Sequence, residues 1–238
     1  MAYQAVFKRY EMKYLLSAQQ KERIMEAMAP HMAPDPHGRS TVRNIYFDTD
    51  SYRIIRRSIE KPAYKEKLRV RSYCRPEPES PVFVELKRKY ESVVYKRRLS
   101  LPDRRAMEWV CGLRSVALQS QIAREIDYFL RYYQTLRPTV FLSYEREAYH
   151  ALDGDLRVTF DDRLLCRQEA LSLESEAWGT PLLEGDQVLM ELKTCGGLPL
   201  WMTAALRQAQ AFKTSFSKYG AAYRTMIFPN LQGGLLHA

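Results

Sequence analysis

YKEKLRVRSY, residues 64–73, decides how the chain folds. Its residues alternate with the two-residue period of a β-strand, so Lys65, Lys67, Arg69, Arg71 and Tyr73 share one face. Leu68 and Val70 point the other way. PVFVELKRKY, residues 81–90, repeats the pattern, with Glu85, Lys87 and Lys89 opposite Val82, Val84 and Leu86. Working outward, the alternation recurs in Phe7–Leu16, Val42–Asp48 and Ser92–Leu101, then in Thr139–Tyr149, Leu156–Asp161 and Gln187–Lys193. In the last three, Tyr144 falls with Arg146, Arg157 with Asp161, and Glu191 with Lys193. Successive strands therefore carry one charged face and one apolar face.

Helical spacing appears between the strands. Behind Ser17, Ile24, Met25 and Met28 lie on one side of a short helix that Pro30 stops. Asp103–Gly112 reads as a helix with Asp103 as N-cap, and Gln119–Gln134 as a helix with the stripe Ile122, Ile126, Phe129, Leu130 and Tyr133. Leu198–Phe212 is a fourth. Pro30–Arg39 reads as the loose connection between a helix and a strand. With no repeat and no Gly/Ser linker, a single domain over residues 1–238 is the simplest organisation.

The chain's 238 residues, 46% hydrophobic and 12% aromatic, suffice for a buried core and exclude disordered, collagen-like and mucin-like chains. Its 37 Lys plus Arg against 28 Asp plus Glu give a net charge of +9. Residues 1–105 hold 24 of those basic residues and 13 of the acidic ones, so the excess lies in that half. An anionic partner is expected. Cys74, Cys111, Cys166 and Cys195 form no C-x-x-C pair and read as reduced structural thiols. Charges interrupt every apolar run near the N-terminus, and no stretch approaches membrane-spanning length, which predicts a soluble, cytoplasmic protein without a membrane span.

The charged face has two readings. An antiparallel sheet commonly leaves one face in water. Yet Arg9, Glu11, Lys13, Lys65, Lys67, Arg69, Arg71, Lys87, Lys89, Lys96, Arg98 and Arg146 collect cations with few carboxylates, and like charges on adjacent strands repel. A bound polyanion would relieve that repulsion, and the pattern leaves both readings open. Cations that hold phosphate oxygens beside carboxylates that hold a divalent ion are what metal-assisted phosphate chemistry requires. Glu11, Glu85, Asp161 and Glu191 are the candidate carboxylates, each with the alternative role of ion-pair partner to a nearby lysine. There is no G-x-x-x-x-G-K-[ST] loop, no G-x-G-x-x-G, no histidine cluster and no RNA-reading signature.

Taken in order, FKRYEMKYLL, YKEKLRVRSY, VFVELKRKY, VVYKRRLSL, SYEREAY, LRVTFD, LMELKT and FSKYG resemble the strands of the VTC domain. That is the polyphosphate polymerase domain of the vacuolar transporter chaperone complex, which also has bacterial stand-alone members, within the triphosphate tunnel metalloenzyme and CYTH superfamily. The resemblance implies an α+β fold, a closed antiparallel tunnel of about eight strands with helices packed outside. It implies an enzyme that transfers the γ-phosphoryl group of ATP to a polyphosphate chain, with Mn2+ or Mg2+ as cofactor and ATP and polyphosphate, not nucleic acid, as partners. By resemblance, Lys13, Arg69, Arg71, Lys87, Arg146 and Lys218 would be the catalytic phosphate ligands. Lys96, Arg98, Tyr144, Lys193 and Ser217 would bind substrate, and Glu191, helped by Glu11 or Asp161, would hold the metal. Where hydrolytic members of the superfamily begin E-x-E-x-K, this chain reads Arg9-Tyr10-Glu11-Met12-Lys13, which favours the polymerase-like branch. A tripolyphosphatase or nucleoside triphosphatase and a non-catalytic polyanion-binding module are the rivals.

Overall fold

The computed structural model describes residues 10–91, 93–115 and 120–235. Among them are eleven strands: β1 Tyr10–Leu16, β2 Met32–Pro34, β3 Ser40–Asp48, β4 Tyr64–Ser72, β5 Pro81–Tyr90, β6 Val93–Pro102, β7 Arg137–Ala151, β8 Arg157–Arg167, β9 Thr180–Pro181, β10 Val188–Thr194 and β11 Lys213–Thr214. The helices are α1 Ala18–Met28, α2 Arg53–Ile59, α3 Asp103–Val110, α4 Gln121–Tyr133, α5 Leu200–Gln208, α6 Lys218–Ala222 and α7 Phe228–Leu235, with a π-helical turn at Tyr223–Ile227 before the last. The expected strand starts at Phe7 and Ser92, the helix start at Gln119, and Arg9 lie outside the described residues.

The strands pair in the order β11-β1-β10-β8-β7-β3-β4-β5-β6, with β2 on β7 and β9 on β8. Among the described residues this path has two ends, so the sheet is not closed and the expected tunnel of about eight strands is corrected. The eight long strands are those that alternation marks. The other three, β2, β9 and β11, are only two or three residues long, too short to show a period. Alternation also tells which side of a strand is apolar, and says nothing of whether a sheet's ends meet. Within the supposed loop Pro30–Arg39, Met32–Pro34 pairs with Tyr149–Ala151 and forms β2.

The chain forms two compact units. The first takes in the chain up to Thr41, Tyr144–Leu164 and Leu183–Phe216. Here β1 pairs with β10 and β10 with β8, so Tyr14 faces Met190 and Phe160 in one row, and Lys13 faces Glu191 and Thr159 in the next. The apolar rows pack with Ile24 and Met28 of α1 and Met202 and Leu206 of α5. Ser17 starts α1 with a capping box: its hydroxyl accepts from the Gln20 backbone N–H while the Gln20 side chain accepts from its own. The α5 helix is shorter than Leu198–Phe212 because Pro199 precedes its first turn and Gln210, at φ 51°, turns the chain away.

The second unit comprises Val42–Ser143, Leu165–Leu182 and the chain from Ser217. Strands β3 to β6 form a meander in which Ile45, Val70, Val84 and Leu99 make one apolar row, and Phe47, Leu68 and Leu86 another. Trp109 of α3 and Ile126, Phe129 and Tyr133 of α4 pack on them. Each such side chain contributes about 1.5–3 kcal/mol by leaving water. Ser120 caps α4 by accepting from the Ala123 N–H. Asp103 is the first residue of α3 and not its N-cap, because β6 stays paired as far as Pro102 and hands the cap position to that proline. The sequence pattern does not show α2, since its cap comes from a distance: the buried Asp48 carboxylate accepts the N–H groups of Ile54 and Ile55.

Candidate functional site

The apolar packing of each unit leaves the opposite, charged side of its strands to be accounted for. In the second unit, register sets three cross-strand rows on that side: Lys67, Lys87 and Lys96; Arg69, Glu85 and Arg98; Arg71, Phe83 and Ser100. Asn44 and Tyr46 of β3 continue the last two rows, opposite Arg71 and Arg69. Tyr73 and Phe83 meet edge to face beside them.

One carboxylate organises this face. Glu85, 1% exposed, accepts from Arg69 Nε and Nη2 at 2.9 and 2.7 Å and from Arg98 Nε at 2.7 Å. Lys96 Nζ lies 2.6 Å from it and Arg71 Nε 3.9 Å. Burial alone would raise the Glu85 pKa, but Arg69, Arg71 and Lys96 hold it well below the usual carboxylate range. Lys96 is pulled down to about 8, chiefly by burial and further by Arg98 and Arg69, although Glu85 works against the fall. Tyr73 is also brought to about 8: burial resists, but Arg71 and Arg98 favour the phenolate. Arg98 Nη2 donates to the Tyr73 hydroxyl at 2.8 Å, Arg69 Nη1 to the Tyr46 hydroxyl at 2.9 Å, and Arg71 Nε to Asn44 Oδ1 at 2.8 Å.

The FSKYG motif sits against the same cations. Ser217 caps α6, its Oγ accepting from the Gly220 N–H at 3.2 Å and from Lys67 Nζ at 2.7 Å. A Cβ on Gly220 would come within 3.2 Å of both Cβ and Oγ of Ser217, which explains the glycine. Tyr219 stacks on Tyr46 at 4.8 Å, donates to Asp48 Oδ2 at 2.9 Å and meets Thr139 Oγ1 at 3.1 Å. Lys218 is buried, and its charge is felt at Tyr46 together with those of Arg69 and Arg71.

The first unit carries its own cluster. Lys13 Nζ lies 3.3 Å from Glu11 Oε1 and 3.4 Å from Glu191 Oε1, and donates to the Phe216 carbonyl at 2.9 Å. Burial works to lower the Lys13 pKa, but Glu191 and Glu11 outweigh it and hold the ammonium charged. Lys193 Nζ lies 3.0 Å from Glu191 Oε2. Arg146 donates twice to the fully buried Asp161, Nε to Oδ1 at 2.6 Å and Nη2 to Oδ2 at 2.7 Å, and its guanidinium lies over the Tyr144 ring at 5.1 Å. Burial costs this guanidinium, yet Tyr144, Asp161 and Glu191 keep it firmly protonated.

Of the residues named from sequence, Arg69, Arg71, Lys87, Lys96, Arg98, Ser217 and Lys218 thus belong to the second unit, and Lys13, Glu11, Glu191, Lys193, Tyr144, Arg146 and Asp161 to the first. Asn44, Tyr46, Lys67 and Tyr73 also take part in these networks. Asn44 and Tyr46 had a readable signal, since β3 alternates and places both opposite arginines. Among the described residues no group of three or more His, Cys, Asp or Glu is placed to hold a metal ion. Glu11 and Glu191 nevertheless bring two hard oxygen donors to one cation, the Lys13 ammonium. Mg2+ and Mn2+ are commonly held by one or two carboxylates with phosphate oxygens and water completing the shell, so this donor set fits a divalent ion.

The sequence matches the family described as VTC domain over residues 8–227. Among solved structures, a candidate adenylate cyclase from Bacillus halodurans is 15% identical over 93% of this chain and 99% of its own, with a TM-score of 0.56. A second candidate adenylate cyclase, from Vibrio parahaemolyticus, is 10% identical over 92% of this chain and 98% of its own, with a TM-score of 0.50. At such identities the likeness is one of fold. No curated protein matches the chain. Among the described residues no helix is long and apolar enough to cross a membrane.

Proposed function

The chain belongs to the VTC domain family, and from that premise we propose that it is a polyphosphate polymerase, transferring the γ-phosphoryl group of ATP to the end of a polyphosphate chain. The observation that carries this reading is the second unit's charged face: Arg69, Arg71, Lys96 and Arg98 converge on one carboxylate, an excess of cations that an anionic substrate would balance. Phosphoryl transfer asks the protein for alignment and charge neutralisation more than for covalent help.

In this reading a terminal oxygen of polyphosphate attacks the γ-phosphorus, the bond to the β,γ-bridging oxygen breaks, and ADP leaves with that electron pair. The nucleophile is already an oxyanion, so no general base is required. Arg69, Arg71 and Arg98, fixed by Glu85, Tyr46, Asn44 and Tyr73, bind the non-bridging oxygens. Lys87, Lys96 and Lys218 add charge, and Ser217 donates to an oxygen while capping α6. In the first unit, Lys13, Arg146 and Lys193 are further phosphate ligands, and Tyr144 supports Arg146 from beneath. Glu191 and Glu11 would hold a divalent cation, Mn2+ or Mg2+, which neutralises phosphate oxygens when bound. Asp161 fixes Arg146. The reading places the protein in the cytoplasm, where ATP is made available.

Incubation with labelled ATP and Mn2+ tests the proposal. Long phosphate polymers on a gel support it, and orthophosphate alone would make the protein a hydrolase instead. Loss of one of Arg69, Arg71 or Arg146 lowers polymer synthesis by about tenfold to a thousandfold, the usual cost of removing a donor to developing negative charge.

A further inference from the structure

We propose that Glu85 is the positioning residue of the phosphate-binding face: its carboxylate holds Arg69, Arg71, Lys96 and Arg98 in one arrangement before substrate arrives. This rests on the polymerase reading and deepens it. A carboxylate on a face that binds anions is at first sight a defect, since it subtracts charge and competes with phosphate. Its geometry argues for a use. Glu85 lies on the central strand of β4-β5-β6, with Arg69 and Arg98 as its direct cross-strand neighbours, one on each side. Oε2 takes Arg69 while Oε1 takes Arg98 and Lys96, so both oxygens are committed to cations from both flanking strands.

The face would otherwise lose its order. Four cations without an internal anion repel one another, and long flexible side chains relieve that repulsion by splaying apart. One buried anion inverts the balance and fixes guanidinium planes that Tyr46, Asn44 and Tyr73 then lock from the other side. Phosphate meets a preorganised set of donors whose net charge is still strongly positive, and little reorganisation remains for the moment of transfer.

Two effects separate this role from mere competition. Glu85→Gln removes negative charge, so on the acid side of the Lys96 titration tripolyphosphate binding holds or tightens, while kcat for polymer synthesis falls about tenfold to a hundredfold because the donors are misplaced. The second readout is the alkaline limb of tripolyphosphate affinity, measured by calorimetry without ATP or metal. Lys96 faces Glu85, Arg98 and Arg69, with Lys87 directly opposite and Lys67 beyond it in the same row. Removing Glu85 takes away the anion that favours the charged form of Lys96 and leaves Arg98 and Arg69, which oppose it. In a Tyr73→Phe background, which deletes the other group titrating near 8, Glu85→Gln then moves the limb down by about one to three pH units. Because that limb needs no turnover, it reports on Glu85 whether or not the protein makes polymer. A limb that stays in place, or a kcat equal to that of the parent, overturns the proposal. Glu85→Asp keeps the charge on a shorter stem and serves if the glutamine variant does not fold. It leaves the limb unmoved and lowers kcat about tenfold, and parental kcat in that variant likewise overturns the proposal.

Discussion

Replacing Arg146 by methionine strips the fully buried Asp161 of its bidentate partner. Asp161 is fully buried and Arg146 only 15% exposed, so the pair is a buried one. Breaking such a pair from one side costs about 3–5 kcal/mol, because the buried carboxylate loses two charge-assisted hydrogen bonds from Arg146. For a chain of this size each kcal/mol is worth about 2–4 °C in the melting temperature, which puts the loss at roughly 6–20 °C. Removing both partners is different: Arg146→Met with Asp161→Leu takes away both charges of the pair together, and apolar replacements of similar volume recover most of the loss. Polymer synthesis does not return with stability, since the double variant still lacks the phosphate ligand. Differential scanning fluorimetry at pH 7, beside the labelled-ATP assay, measures both. If the double variant melts no higher than Arg146→Met alone, or if it regains synthesis, the reasoning from the buried pair is refuted.

Three further outcomes follow from the same geometry. Tripolyphosphate affinity of the wild type declines as pH rises through about 8, because Lys96 then loses its proton and Tyr73 gains a negative charge; Lys96→Arg with Tyr73→Phe removes that decline in calorimetric titrations. Gly220→Ala pushes Ser217 away from Lys67 and from its capping position, lowering tripolyphosphate affinity about three- to thirtyfold, equivalent to one or two lost hydrogen bonds of ~1 kcal/mol each, with the melting temperature down by a few degrees. Asp48→Ala leaves the Ile54 and Ile55 N–H groups and the Tyr219 hydroxyl without their acceptor and costs about 2–4 kcal/mol in urea unfolding, whereas Asp48→Asn, which keeps an acceptor oxygen, costs less.

What could be read from the sequence was local and periodic. YKEKLRVRSY and PVFVELKRKY announce their apolar and charged sides because neighbouring side chains must point oppositely, and the registers Leu68 to Leu86 and Arg69 to Glu85 keep those sides together. The stripe of α4 was legible for the same reason. What lay hidden depends on distant partners. The α2 helix takes its cap across a left-handed Tyr52, Asp48 accepting from Ile54 and Ile55 and Thr49 Oγ1 from Arg53, so the cap position itself holds a tyrosine and the capping side chains stand three and four residues before it. Strands β2, β9 and β11 exist only through their pairing partners. In the charged clusters, parity told which residues share a face but not which carboxylate serves which cation: Asp161 is committed to Arg146, Glu191 lies between Lys13 and Lys193, and Glu85 gathers four cations.

A polymerase needs cationic faces that bind a chain of phosphates in order to extend it. The most direct measurement is a single gel of products from γ-labelled ATP and Mn2+, run for the wild type and for Arg69→Ala with Arg71→Ala. The expected result is a ladder of long labelled polymers from the wild type and its loss, by at least about tenfold, in the double variant. Equal ladders from both proteins would contradict it, as would a wild type that releases only orthophosphate.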